Sequence, residues 1–212
     1  MIKGKLAIFI IVAVLVLDQV LKIWVKTHMV IGEEIHVAGN WFIIHFTENN
    51  GMAFGIELFG RAGKYLLSIF RIAAVGLLGY YLFKLAKRDV SIGYFVCVAL
   101  ILAGAAGNII DCAFYGLIFD HSWNNIAQFV PFGTGYSSFL QGRVVDMLYF
   151  PIIHGHWPAW SPINPTEEFI FFRPVFNLAD SAITCGMIWL LIFERKNLQS
   201  ELELGSKKDD KK

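Results

Sequence analysis

The sequence predicts an all-α membrane protein with four transmembrane helices, a small extracytoplasmic β-sheet and irregular outer loops. Of its 212 residues, 56% are hydrophobic and only 17% are charged, a balance typical of membrane proteins. The apolar residues are also clumped into long runs instead of following a helical or strand period. A third observation is a β-prone segment between the first two runs, which ends in Asn49-Asn50-Gly51.

Four apolar runs each approach the roughly 20 residues that a helix needs to cross a bilayer core. They lie at about 6–25, 65–83, 91–110 and 176–193. The first run could instead begin a signal peptide, but it leads into Asp18-Gln-Val-Leu-Lys22 without a small-residue cleavage site, so we expect an uncleaved helix. We interpret residues 1–196 as one membrane-embedded domain and 197–212 as a charged cytoplasmic tail, with 201–212 disordered.

Basic residues flank the predicted spans on one side. Short segments rich in Lys and Arg stay in the cytoplasm, which predicts a multi-pass protein with both termini cytoplasmic. The loops 26–64 and 111–175 then lie outside. The basic residues are Lys3, Lys5, Lys84, Lys87, Arg88, Arg195 and Lys196.

The first outer loop contains the β-prone segment. An apolar run that ends in Asn-Asn-Gly is typical of a strand entering a tight turn, because Asn and Gly tolerate positive φ. We therefore predict a small sheet on the outer membrane face. Residues 51–60, dense in Gly and large apolar side chains, are interpreted as a short re-entrant or interfacial piece.

The second outer loop has two parts. Residues 120–141 are rich in Asn, Ser, Gly and aromatics, which favours an irregular excursion. Residues 151–174 contain five prolines, which exclude a regular helix. Trp157 and Trp160 in this part are expected to anchor at the membrane interface.

Several classes of function and site are disfavoured. A net charge of +1 without a basic patch gives no indication of nucleic-acid binding. The three cysteines, Cys97, Cys112 and Cys185, are scattered and predict no disulfide framework. His154 and His156 form the closest histidine pair, but no His-Glu-x-x-His motif occurs. We expect neither a metal nor a cofactor.

Two aspartates in apolar sequence are the strongest candidates for chemistry. Asp146 follows two valines, and Asp180 lies about one turn into the last run, so both are placed near the outer membrane border. A carboxylate near hydrocarbon is costly unless it is paired, protonated or facing water. If the two meet, one pKa rises while the other stays low, which suits an acid and a base. Alternatively, each caps a helix or pairs with Arg143 or Arg173.

Other polar residues are predicted at the same level. Asn49, Asn108 and Asn177 carry amides that both donate and accept, and these could hold an extended peptide or orient an aspartate. Asp18 and Lys22 are four residues apart, which predicts an ion pair on one helix face.

Five segments resemble the bacterial lipoprotein signal peptidases, also called type II signal peptidases. They occur in the family's order across nearly the whole chain: Asp18-Gln-Val-Leu-Lys22, Asn49-Asn-Gly51-Met-Ala-Phe, Gly107-Asn108-Ile-Ile-Asp111, Val144-Val-Asp146 and Phe176-Asn177-Leu-Ala-Asp180-Ser. The resemblance implies an intramembrane aspartyl endopeptidase of the bacterial inner membrane. It would cleave the signal peptide of a prolipoprotein before its diacylglyceryl-modified cysteine.

The resemblance also implies roles for individual residues. Asp146 and Asp180 fall on the family's catalytic positions, and Asp18 and Lys22 match a supporting pair. The expected partners are the prolipoprotein and membrane lipid, and we expect a monomer. The positions around the site are Asn49, Gly51, Asn108, Asp111 and Asn177.

Two departures from the family's pattern matter. The family usually has Arg directly after the aspartate of the third-span motif, whereas this chain has Cys112. Asp111 then needs another partner, and Arg143 is predicted to pair with it. The Pro-rich segment 151–174 also makes the chain between Asp146 and Asp180 longer than usual, and its role is left open.

Two other functions compete with a peptidase. Intramembrane carboxylates also mark ion pathways, so a small proton-coupled transporter is an alternative. Against it, the acidic residues gather at one face, and the chain shows no internal repeat. A non-enzymatic assembly factor that docks through its outer loops is a third possibility.

Overall fold

The computed structural model describes residues 2–50, 60–156, 158, 160 and 168–209. Within these residues the chain forms four long or medium helices, one short helical turn, a terminal helix and six strands. In chain order they are α1 (Ile2–His28), β1 (Glu34–Ala38), β2 (Phe42–Asn49), α2 (Gly60–Leu85), α3 (Ile92–Ile110), α4 (Gly116–Ile118), β3 (Val144–Tyr149), β4 (Ile153–His156), β5 (Glu168–Phe171), β6 (Val175–Phe176), α5 (Leu178–Ile192) and α6 (Arg195–Asp209).

The four predicted apolar runs are all helical, as expected. Three helical stretches among the described residues are long and apolar enough to cross a membrane: Ile2–His28, Ala62–Leu85 and Ile92–Ile118. The fourth, α5, has 15 residues, or about 22 Å at 1.5 Å per residue, against a bilayer core of about 30 Å. It begins later than predicted because Val175 and Phe176 join the sheet instead.

Helix α3 lies at the centre of the bundle and contacts α1, α2 and α5. Small residues let α5 and α1 approach it closely: a Cβ at Gly104 would meet the backbone oxygen of Ala179 in α5, and one at Gly107 would meet the Asp18 carboxylate of α1. This is the close packing that small residues permit between membrane helices. The contact brings the first turn of α5 against the last turns of α3.

The predicted small sheet is confirmed, with strand order β1-β2-β3-β6 and antiparallel pairing throughout. Thr47 of β2 lies opposite Asp146 of β3. Strand β6 pairs with β3 and leads directly into α5. The sheet therefore connects the segment that carries Asp146 to the helix that carries Asp180.

The Pro-rich segment was predicted not to form a regular helix, and its described residues contain an antiparallel pair of strands, β4 and β5, which the sequence did not indicate. The tail differs from the sequence-based prediction. The tail is helical to Asp209, although disorder was predicted for 201–212. Leu198 packs against the core of the bundle, and Glu201 pairs with Arg88 in the α2–α3 turn, so the tail has tertiary contacts that its composition did not indicate. The predicted turn at Gly51 and the interfacial piece after it lie almost entirely outside the described residues.

Candidate active site

The two predicted aspartates meet through one amide side chain. Asn177 is the N-cap of α5, and its Oδ1 accepts from the backbone N–H of Asp180 at 2.8 Å. Its Nδ2 donates to Asp146 Oδ1 at 2.7 Å. Helix capping thus places Asp180 in the first turn of α5, while the same residue holds Asp146 on the neighbouring strand.

The other two predicted amides bind one aspartate each. Asn108 Nδ2 donates to Asp180 Oδ1 at 2.8 Å, and Asn49 Nδ2 donates to Asp146 Oδ2. Asn177 Nδ2 also donates to Asn108 Oδ1 at 3.1 Å. Three amides from β2, α3 and the α5 cap therefore fix both carboxyl groups with donors that suit an ionised carboxylate.

The surroundings make the two carboxyl groups unequal. Burial raises the pKa of Asp146 to about 7, and the negative charge of Asp180 adds to the rise, against the hydrogen bonds from Asn49 and Asn177. Asp180 lies in the first turn of α5, where the partial positive charge of a helix N-terminus stabilises an anion. The pair can supply one proton donor and one base near neutral pH.

A fully buried lysine lies next to the amides. Lys22 Nζ is 2.8 Å from Asp111 Oδ2 and 2.9 Å from Asp18 Oδ2, and it donates to Asn108 Oδ1 at 2.9 Å. The predicted Asp18–Lys22 pair is confirmed. Asp18 Oδ1 also accepts from the backbone N–H of Ala179 at 2.9 Å. The cluster joins α1, α3 and the start of α5, with two acids around one cation.

The predicted pairing of Asp111 with Arg143 is wrong. The cation on Asp111 is Lys22, while Arg143 lies 3.4 Å from Glu48 Oε2. Asp111 is fully buried and accepts from the backbone N–H of Val145 at 3.3 Å, so its carboxylate lies beneath β3, where a lysine from α1 reaches it. The Arg143 side chain is 43% exposed and keeps part of its hydration.

The segment after α3 widens into a π-helix at Asp111–Tyr115, a distortion often found at functional sites. Gly142 approaches it closely, with its N–H donating to the Cys112 carbonyl at 2.8 Å. A Cβ at Gly142 would meet the carbonyl oxygen of Asp111. Glycine is required there to bring the entry of β3 against α3.

Sequence reasoning missed three polar residues near the site. Gln19 Nε2 donates to Asp111 Oδ1 at 2.8 Å and to Asp18 Oδ2 at 3.2 Å. Lys26 and Glu48 form a second buried ion pair. Gln19 and Lys26 both lie in or at the end of an apolar run, and an uncompensated polar residue there was the available signal.

No group of three or more His, Cys, Asp or Glu side chains in the described part of the chain is arranged to hold a metal ion. His154 and His156 lie on β4, which belongs to the two-stranded sheet and not to the sheet that carries Asp146. The metal-free site remains a prediction.

Comparison with known proteins gives concordant matches. The model of a family described as Signal peptidase (SPase) II matches residues 10–195. A lipoprotein signal peptidase of Porphyromonas gingivalis is 54% identical over 191 residues, covering 90% of this chain and 83% of the relative. One of Amoebophilus asiaticus is 39% identical over 191 residues, covering 89% and 77%. A solved bacterial membrane enzyme, 27% identical, superposes with a TM-score of 0.61 over 92% of this chain and 91% of its own.

Proposed function

Because the chain belongs to the signal peptidase (SPase) II family, it is an aspartic peptidase that removes signal peptides from prolipoproteins, and we propose that Asp146 and Asp180 are its catalytic pair. The observation that carries the assignment is the Asn177 side chain, which is hydrogen-bonded to both residues. A transporter finds no support in the family or its relatives.

The two carboxyl groups divide the chemistry. Asp180, in the first turn of α5, takes a proton from water as the water oxygen attacks the scissile carbonyl carbon. Asp146 donates its proton to the carbonyl oxygen, which gives a neutral tetrahedral gem-diol. When this species collapses, the C–N bond breaks, the amine takes the proton held by Asp180, and a hydroxyl proton returns to Asp146. No covalent enzyme intermediate is required.

The supporting residues hold the Asp146 and Asp180 side chains in fixed positions. Asn108 and Asn49 each hold one carboxyl oxygen. Lys22 holds Asn108 through its Oδ1, so the amide must present its N–H₂ to Asp180. Water and one peptide bond then meet fixed groups, which lowers the entropic cost of the reaction.

The substrate in this proposal is a prolipoprotein with a diacylglyceryl-modified cysteine, cleaved just before that residue. We place the enzyme in the bacterial inner membrane as a four-span monomer with both termini in the cytoplasm. The basic flanks of the spans support that orientation. The first turn of α5 then lies at the outer border, the level at which a lipid-modified cysteine would present its peptide bond.

Cleavage of a diacylglyceryl-modified precursor by the purified enzyme tests the assignment. Asp146→Asn and Asp180→Asn should each lower kcat by about a thousandfold or more, because the two groups act together. Asp89→Asn, an exposed aspartate in the α2–α3 turn, is the matched control and should stay within about twofold of wild type. Substantial turnover by either site variant in folded form would reject the pair.

A further inference from the structure

A second buried charge cluster lies beside the proposed active site. The side chains of Lys26 in α1 and Glu48 in β2 are 0% and 2% exposed, and they form an ion pair. Ser122 Oγ donates to Glu48 Oε1 at 2.9 Å and accepts from Lys26 Nζ at 2.7 Å. Lys26 Nζ also lies 5.0 Å from the centroid of the Tyr136 ring, within cation–π range.

Such a cluster is poorly explained by stability alone. Removing two charges from water costs several kcal/mol per ion, and well-packed apolar residues are often at least as stabilising as a buried pair. The surroundings here are apolar, since Val25, Phe46 and Val145 are fully buried beside it. A buried pair does, however, fix one relative position of the elements that carry it.

The elements that it fixes are those that hold Asp146. Side chains alternate along a strand, so Glu48 faces α1 while the next residue, Asn49, faces Asp146. The Arg143 guanidinium reaches Glu48 Oε2 at 3.4 Å, and Arg143 directly precedes β3. Glu48 is therefore bound both by the first helix and by the residue at the entry of β3.

We propose that the Lys26–Glu48 pair is a positioning device for catalysis, which fixes β2 against α1 so that Asn49 holds Asp146. The inference rests on the proposed role of Asp146. Neither Lys26 nor Glu48 has a described hydrogen bond to Asp146. Among the described interactions, the charged groups that act on Asp146 are Asp180 from α5 and Lys22 from α1. Any effect of the Lys26–Glu48 pair is then transmitted through the sheet, by Glu48 in β2 and by Arg143 at the entry of β3.

The test uses Lys26→Gln, Glu48→Gln and the double variant, with kcat, KM and the pH dependence of kcat measured on a diacylglyceryl-modified precursor. Each single variant leaves one buried charge without its main partner. We expect kcat to fall about tenfold with KM changed less than kcat. The alkaline limb of the kcat profile should move to higher pH. A less firmly held Asn49 stabilises the ionised form of Asp146 less, and the pKa of Asp146 then rises.

The double variant should recover part of the lost kcat, since two amides can bond to each other and neither position keeps a buried charge; the Arg143 guanidinium, which also contacts Glu48, is 43% exposed and keeps its hydration. It also carries the test if a single variant fails to fold. The control is Glu34→Gln, which removes the exposed Glu34–His45 pair of the same sheet. It should leave kcat within about twofold of wild type and the pH of the alkaline limb unchanged.

The inference would be overturned if the folded variants had lower thermal stability but the same kcat and the same alkaline limb of the pH profile as wild type. The pair would then contribute to stability alone. A double variant no better than either single variant would also overturn the inference. Failure of the wild-type enzyme to cleave the precursor would instead overturn the proposed function, and the positioning role with it.

Discussion

The proton on Asp146 is the residue-level property on which the proposed chemistry depends. Its side chain is buried on β3, with one amide on each carboxyl oxygen and the like charge of Asp180 acting on it. Burial disfavours the ionised form, whereas the two amides favour it. The balance leaves the pKa of Asp146 at about 7, so the group can give its proton up within the physiological range.

The first prediction concerns pH. If Asp146 is the proton donor, kcat should fall with rising pH on a limb centred near pH 7. Asn49→Ala removes a hydrogen bond that favours the carboxylate, so the pKa of Asp146 should rise and the limb should move upward. We expect kcat to fall by about a hundredfold as the donor is lost.

The matched control for this pH experiment is Asn125→Ala, an exposed amide in the loop after α4, which should leave the profile unchanged. A limb that stayed fixed in Asn49→Ala, or moved to lower pH, would contradict the assignment of the proton to Asp146.

The second prediction concerns stability. The folded state binds the Asp146 proton more tightly than the unfolded chain, because its folded pKa of about 7 lies above the ordinary value of 3.8. The contribution of this group to stability is therefore greatest below about pH 4 and is lost as pH rises through 7. Asp146→Asn should raise the free energy of unfolding at pH 8 by the order of a few kcal/mol.

Thermal unfolding in detergent at pH 4.5 and pH 8 measures this difference. The gain from Asp146→Asn should shrink at the lower pH, where the wild-type carboxyl is protonated, and Asp89→Asn should show no such dependence. A variant less stable than wild type at pH 8 would contradict the idea that ionised Asp146 is costly.

Residues of this site were predictable where they break an apolar pattern. Asp146, Asp180, Asn108 and Asn177 stand in largely apolar sequence, whereas Asn49 was indicated by the Asn-Asn-Gly turn at the end of a strand. The structure brings all five together. The partner of Asp111 was not predictable, because Lys22 is distant in sequence and was already matched to Asp18. Glu48 lies between Thr47 and Asn49 in the polar end of a strand, a pattern shared with ordinary solvent-facing positions, so its burial could not be read from the sequence.

At the scale of elements, the contact of α3 with α5 determines whether Asn108 reaches Asp180. The two helices approach closely at Gly104 and Gly107, directly beneath Ala179. The first turn of α5 is held there from two sides, because Asp18 accepts from the N–H of Ala179.

Gly104→Ala should therefore separate the two helices. The added methyl would meet the Ala179 carbonyl oxygen and the Ile183 side chain, and overpacking of this kind costs about 1 to 3 kcal/mol. Activity should fall further than stability explains, because α5 carries Asp180. The measurements are unfolding in detergent and kcat of the folded fraction.

Gly79→Ala in α2 is the control for this helix contact, since a Cβ there meets nothing within 4 Å. It should be neutral or stabilising by up to about 1 kcal/mol. If Gly104→Ala and Gly79→Ala changed stability and kcat equally, helix propensity and not the contact with α5 would account for the change.

Elements with a strong local pattern were predicted to within a few residues, and the others were not. The four apolar runs and β2 have such a pattern. The start of α5 depends on Val175 and Phe176 pairing with β3, and the β4–β5 hairpin forms within a Pro-rich segment. Both depend on long-range pairing, which local composition does not encode.

At the scale of the whole molecule, the polar side chains of three helices gather at one end of the bundle. α1 contributes Asp18 and Lys22 near its C-terminal end, α3 contributes Asn108 at its end, and α5 contributes Asp180 at its start. The sheet covers the same end, since Val145 of β3 bonds to Asp111. Much of the remaining surface of α1 and α2 is apolar and exposed, as lipid-facing helices require.

This arrangement makes orientation decisive for the proposed function, since the polar end must face the side on which lipid-modified precursors emerge. The basic flanks predict that the termini are cytoplasmic and the polar end is outside. In a background with Cys97, Cys112 and Cys185 replaced, Asn125→Cys should react with a membrane-impermeant thiol reagent in intact spheroplasts, whereas Ser200→Cys in α6 should not. Both residues are exposed, so both should react after detergent solubilisation. Labelling of Ser200→Cys alone would place the aspartates on the cytoplasmic side, where a peptidase of this kind would not meet a translocated cleavage site.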